Sequence, residues 1–182
     1  MRSIDKMANK RRNITIIDGY NVINGWKDLS DISKSSLEDA REMLIDQLAE
    51  YKSLSAEEII LVFDAYNLDR PKETIEYKYG IEIVYTKKYQ TADTYIEKQI
   101  LKISQKHNLK IVTDDSQIQI LATSKGAARM TSAELKSAIF NNNRKIKRKK
   151  RQDFNTNFGS FPLSKEMIDK IDQIKEDLQE NK

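Results

Sequence analysis

The chain has 182 residues, 38% apolar and 33% charged, which allows one hydrophobic core under a strongly solvated surface. It has no cysteine, which excludes disulfides, thiolate zinc sites and a cysteine nucleophile and fits a reducing cytoplasm. No apolar stretch approaches the roughly 18–20 residues that span a bilayer, so no membrane partner is expected. The net charge of +4 is uneven, because RKIKRKKR at 144–151 carries seven cations and leaves the remainder acidic.

In chain order, residues 1–12 read as a flexible basic leader that lacks the apolar core of a signal peptide. NITII (13–17) predicts a first strand, ending in IDGYN, where Asp18-Gly19 has the composition of a turn. A helix follows over 37–51, with Leu37, Ala40, Leu44, Leu48 and Tyr51 at spacings of three and four. EIILVF (58–63) predicts a second strand, ended by Asp64, and IEIVY (81–85) a third. Ala92, Ile96, Ile100 and Ile103 mark a helix over 91–107, with Asp93 in its first turn.

KIVT (110–113) predicts a fourth strand, running into Asp114 and Asp115. Residues 116–124 fit a short helix closed by Gly126. ARMT (128–131) is a weaker strand candidate, and Ser132 begins a helix leading into the basic run. Residues 152–163 read as a linker, and Ser164 caps a last helix over 164–182 with Met167, Ile168, Ile171, Ile174 and Leu178 on one face. Ile- and Val-rich strands alternating with helices predict an α/β fold around a mostly parallel sheet.

The acids carry the functional signal. Asp18, Asp64 and Asp115 stand at strand ends, and Asp93 opens the helix after another strand. Ligands of open α/β sheets bind beyond the carboxyl ends of the strands. Each acid alone has a plain reading as a turn, a loop, a dipole partner or a helix cap. Together on one rim they would repel unless a cation or protons neutralised them, and such oxygen sites suit Mg²⁺ or Mn²⁺. The sole histidine, His107, reads as a solvent-facing helix end. With no GxGxxG or P-loop, a nucleotide cofactor has no support. Thr91, Thr94, Thr113 and Ser116 lie beside the acids, with capping as their first expected role.

The motifs IDGYNVI, LVFDA, TADTYIEK and IVTDDSQIQ, in this order and spacing, resemble the NYN-domain proteins of PIN-like fold. The YacP-like branch, ribosome-associated endoribonucleases, is the nearest pattern, from about Ile14 to the basic segment. The resemblance implies a three-layer domain over 13–151 with a C-terminal helical extension. It also implies a metal-dependent endoribonuclease holding one or two Mg²⁺ or Mn²⁺ ions, cutting single-stranded RNA, here mRNA on the translating ribosome, and so serving mRNA decay. Its acidic site carries over to Asp18, Asp93 and Asp115, with Asn21 beside them and Asp64 matching the acid after the second strand. Glu97, four residues past Asp93, would share its helix face.

One departure stands out: Ile118 occupies a position where the family pattern has Glu, while Gln119 matches. Asp114 is an added acid, but neighbours on a strand point to opposite faces, which favours Asp115 as the ligand. The basic residues Arg144, Lys145, Lys147, Arg148, Lys149, Lys150 and Arg151 are expected to meet RNA phosphates. Tyr20 and Trp26 are candidates for stacking on bases, with core packing the plain alternative for Tyr20 and partial exposure expected for Trp26 in the loop NGWKDL. A competing reading is an RNA- or ribosome-binding NYN module with little or no catalysis, favoured by Ile118. A phospho-receiver domain fits poorly, since it wants paired acids after the first strand and a lysine after the last.

Overall fold

The computed structural model of the chain describes residues 11–64 and 72–142. The basic run, the linker, the last helix and most of the leader lie outside the described residues. A six-stranded sheet forms the centre, in the order β3-β4-β2-β1-β5-β6. Its strands are β1 (Asn13–Asp18), β2 (Glu58–Phe63), β3 (Thr74–Lys78), β4 (Ile81–Tyr85), β5 (Asn108–Val112) and β6 (Ala128–Met130). All neighbouring pairs run parallel except the β3–β4 hairpin.

The expected α/β architecture is therefore present, with helices on both faces. On one face lie α1 (Gly19–Gly25), α2 (Lys27–Ser33) and α3 (Leu37–Lys52), joined by Leu135 and Ile139 of the helix over 132–142. On the other lie α4 (Ala92–Ile103) and α5 (Ser116–Ser124). Side chains alternate across a strand. Accordingly Ile17 packs toward α1–α3, and Ile14 and Ile16 pack toward α4 and α5. The same alternation assigns Asp18, and Asp64 just past β2, to the α4–α5 side.

α3 shows how the helices arise. Ser36 caps it, its hydroxyl accepting from the Asp39 N–H at 3.1 Å, and Glu38 and Asp39 complement the positive end. Ala40, Leu44, Ile45, Leu48 and Tyr51 are buried, so tertiary packing of one face holds the helix.

Three elements differ from the sequence reading. Residues 19–33 form two short helices rather than a turn and loop. Gly19 opens α1 because a Cβ there would stand 2.3 Å from the buried Phe63 ring, not because the chain bends in a glycine-only conformation. β3 is an added edge strand, largely exposed, and so lacks a continuous apolar run. It turns into β4 through Tyr79-Gly80, both at positive φ (54° and 76°), as the twist of a two-residue hairpin demands. The helix expected to reach His107 stops at Ile103, and β5 begins at Asn108.

Candidate active site at the strand-end rim

The register brings the strand ends level. Asp18 pairs with Val62, and Ile17 pairs with Leu61 on β2 and Val112 on β5. The chain therefore leaves β1, β2 and β5 along one edge of the sheet. An open cleft lies there, lined by Asp18, Tyr20, Asn21, Asn24, Asp64, Thr91, Ala92, Asp93 and Asp115.

Asp18 is the deepest acid, 7% exposed. It is also the N-cap of α1, with Oδ1 accepting from the Asn21 N–H at 3.1 Å. Burial pushes its carboxyl from 3.8 up to about 6; the Asn21 N–H opposes the shift, while the charges of Asp93, Asp64 and Asp115 add to it. Asp93, in the first turn of α4, is also raised, by burial first and then by Asp115, Glu97 and Asp64. These couplings give a sign to the arrangement: four carboxylates face one another with no described cation compensating the deepest of them.

Asp115 caps α5, with Oδ1 accepting from the Gln117 and Ile118 N–H groups at 2.7 and 3.1 Å. In both Asp18 and Asp115, one oxygen is fixed by the next helix, while the other accepts no hydrogen bond among the described residues. The cap and the ligand readings are thus compatible: the cap orients the carboxylate and leaves one oxygen for a guest.

Asn21 has a second role. Its Oδ1 accepts from the Asp114 N–H at 2.7 Å, tying α1 to the loop after β5. Asn24, three residues on, shares this helix face, and the sequence reading missed it because α1 was not expected to be a helix. Thr91 is the expected cap, accepting from the Thr94 N–H at 3.2 Å, whereas Thr113 caps no helix and accepts from the Asp115 N–H at 3.2 Å in the turn ahead of α5.

The other candidates divide clearly. Asp114 is absent from the cleft lining; its carboxylate accepts from the Ser132 N–H at 2.9 Å and from the Ser132 hydroxyl, anchoring the helix over 132–142. Ile118 lies in the core between the sheet and α4–α5, 3% exposed. Trp26 was expected in a partly exposed loop but is 1% exposed, with Nε1 donating to the Ser132 carbonyl at 2.8 Å; it cannot stack on a base. Tyr20 lines the cleft, yet its ring packs 5.2 Å from Phe63 and its hydroxyl accepts from Arg41 at 3.0 Å. The basic residues 144–151 lie outside the described residues.

Among the described residues, no three His, Cys, Asp or Glu side chains are grouped tightly enough to enclose a metal ion as they stand. The donor set is nonetheless all oxygen and net negative, which is what Mg²⁺ or Mn²⁺ prefers, and Mg²⁺ commonly takes one or two carboxylates with waters and substrate phosphate. No helix of the described residues is long and apolar enough to cross a membrane.

Comparison with known proteins agrees with the motifs. Residues 15–176 match the YacP-like NYN domain. The chain is 32% identical to YacP of Bacillus subtilis (strain 168) over 157 residues, 85% of this chain and 92% of that one. The crystal structure of Rae1 (YacP) from Bacillus subtilis superposes with a TM-score of 0.64 at 30% identity, covering 90% of this chain and 95% of that one. A mutant form of the same protein gives 0.65 at 33% identity, covering 78% and 83%.

Proposed function

The chain belongs to the YacP-like NYN family, nucleases of PIN-like fold, and from that premise we propose that it is a metal-dependent endoribonuclease cutting single-stranded RNA, with mRNA on the translating ribosome as its substrate. The observation that carries the reading is geometric: Asp18, 7% exposed, lines one cleft at the strand ends together with Asp64, Asp93 and Asp115, and burial there raises its carboxyl. Asp18 is buried among acids with no cation among the influences on it, which makes the rim a place for a guest cation, and nucleases of this fold generally use divalent metals.

Asp18, Asp93 and Asp115 would hold one or two Mg²⁺ or Mn²⁺ ions, with Asp64 assisting. A bound ion supplies a water of lowered pKa and positive charge for the phosphate. The chain's own part is orientation. The α1 and α5 N–H groups fix Asp18 and Asp115, and Asn21 holds the α1 end against the loop after β5. Burial takes the Asp18 carboxylate out of bulk water, which strengthens its attraction to a cation. The basic run 144–151 would meet RNA phosphates and offset the repulsion between the cleft carboxylates and the RNA backbone.

Burial of Ile118 in the core bears on the alternative of a binding module without catalysis. The four cleft carboxylates stand whatever occupies position 118, so the departure does not empty the site. The decisive test is ribosome pelleting with mapping of new RNA 5′ ends, for wild type against Asp18→Asn. New ends in wild type, lost in the variant while RNA stays bound, support the nuclease. Binding without new ends in either protein leaves the binding module.

A further inference from the structure

The loop between β4 and α4 carries Tyr89 in a setting that folding does not explain. The Gln90 N–H donates to the Lys87 carbonyl at 2.9 Å, closing a four-residue turn with Tyr89 third. Tyr89 has φ +69°, and the third position of a turn at positive φ ordinarily holds Gly or Asn. A bulky side chain is strained in that conformation. Tyr79 shares the anomaly but has the hairpin twist as its reason. Tyr89 has no such reason, and burial gives nothing back, since it is 96% exposed. Strain of this kind collects at functional positions.

The location gives the strain a use. Tyr89 is two residues ahead of Thr91 and four ahead of Asp93, both in the cleft lining, and two residues of chain span at most about 7 Å. Lys87 and Lys88 flank it, both exposed, with the Lys88 ammonium 5.7 Å from the Tyr89 ring centre. Two cations and an exposed aromatic ring thus stand at the lip of an acidic cleft. Single-stranded nucleic acid is bound by that pairing, rings for bases and cations for phosphates. The aromatic candidates nearer Asp18 in sequence are already engaged, Trp26 in the core and Tyr20 between Phe63 and Arg41.

We propose that Tyr89 is a stacking platform for an unpaired RNA base beside the scissile phosphate, with Lys87 and Lys88 meeting adjoining phosphates. The inference rests on the endoribonuclease reading and adds to it the residue that seats the substrate on the α4 side. It makes Tyr89 a positioning residue, not a catalytic one.

The test uses the full chain. Binding of a short labelled oligoadenylate is measured in the uncleaving Asp18→Asn background, and cleavage in the wild-type background. Tyr89→Gly removes the ring and suits the positive φ. It should weaken binding roughly tenfold or more while raising the denaturation midpoint, a combination that a structural role would not give. Tyr89→Trp should retain binding, and its emission should change on adding RNA, because the sole native tryptophan is buried. Replacing Lys87 and Lys88 by Ala together should flatten the salt dependence of binding by about 1.4 in log–log slope. Unchanged binding in Tyr89→Gly with silent Tyr89→Trp emission, while wild type still cleaves, overturns the Tyr89 platform alone. No binding by the parent, together with no cleavage by wild type of free or ribosome-bound RNA, overturns this inference and the nuclease reading together.

Discussion

The two ends of the sheet handle a sequestered carboxylate in opposite ways. At the end where the strands begin, Glu57 sits among Asn13, Thr15, Asn108 and Lys110. Lys110 donates to it at 2.5 Å and the Thr15 hydroxyl at 2.6 Å, while Lys52 donates to the Glu57 carbonyl. Burial alone would raise this carboxyl, but the hydrogen bonds from Lys110 and Thr15 and the charges of Lys110 and Lys52 outweigh burial and hold it below its ordinary range. At the other end Asp18 is raised, and its charged neighbours are acids. The same fold thus balances Glu57 with lysines at one edge and leaves Asp18 unbalanced among acids at the other. An unbalanced edge destabilises the protein on its own, which makes it the edge to search for a ligand.

The largest expected effect comes from removing the imbalance. Asp18→Asn should lower RNA cleavage more than about a hundredfold, because even groups that merely orient metal ligands are worth roughly 10–100-fold. The readout is initial rate with Mg²⁺ or Mn²⁺, and equal rates would end the catalytic assignment. The same substitution should stabilise the metal-free protein. A carboxyl raised to about 6 when folded, against 3.8 when unfolded, favours folding fully only below the lower value, and that stability is lost as pH rises through 6. At pH 8 the charged Asp18 therefore costs wild type up to about 3 kcal/mol, which Asn, still able to accept from the Asn21 N–H, avoids. Urea titrations in chelator at pH 5 and pH 8 should show the variant's advantage growing with pH. Adding Mn²⁺ should restore stability to wild type far more than to the variant.

Glu57→Gln should do the reverse. It leaves Lys110 half-buried without its charged partner and should destabilise the protein by about 1–3 kcal/mol at pH 7, with cleavage unchanged. Its carboxyl is lowered on folding, so this contribution is present above the unfolded pKa and fades as pH falls through the folded one. The two variants should consequently have stability differences of opposite sign at neutral pH. A Glu57→Gln protein that cleaves poorly while folding well would break the division of the sheet into a structural and a functional edge.

The sequence made the sheet and the rim legible because both rest on local signals. Buried parallel strands are short Ile- and Val-rich runs, and an acid closing such a run is visible without any tertiary knowledge. α1 and α2 were not legible, because their apolar positions, Val22, Ile23, Trp26 and Leu29, are few and the segment opens on Asp-Gly. Gly19 owes its identity to Phe63, 44 positions away, a contact that no local pattern announces. β3 escaped for the opposite reason: an exposed edge strand needs no apolar face. Trp26 was misplaced because a polar neighbourhood, NGWKDL, was read as a surface when it is the joint between α1, α2 and the helix over 132–142. Tyr89 left no sequence signal, since its meaning lies in a dihedral angle.

The smallest expected effect concerns Asn21, and it separates position from charge within the cleft. Its amide oxygen holds the Asp114 N–H, and its own N–H holds Asp18. Asn21→Ala keeps the second bond and loses the first, for about 1 kcal/mol of stability and a loosening of the α1 end. Asn21→Asp keeps an acceptor for Asp114 but adds a fifth carboxylate beside one already raised to about 6. Like charges should drive Asp18 higher still, so Asn21→Asp should match wild type in metal-free stability near pH 4 and fall below it at pH 8, as urea midpoints would show. An Asp variant that matched wild type at both pH values would mean the cleft tolerates another charge without a cation. It would remove the reason for an amide at this position.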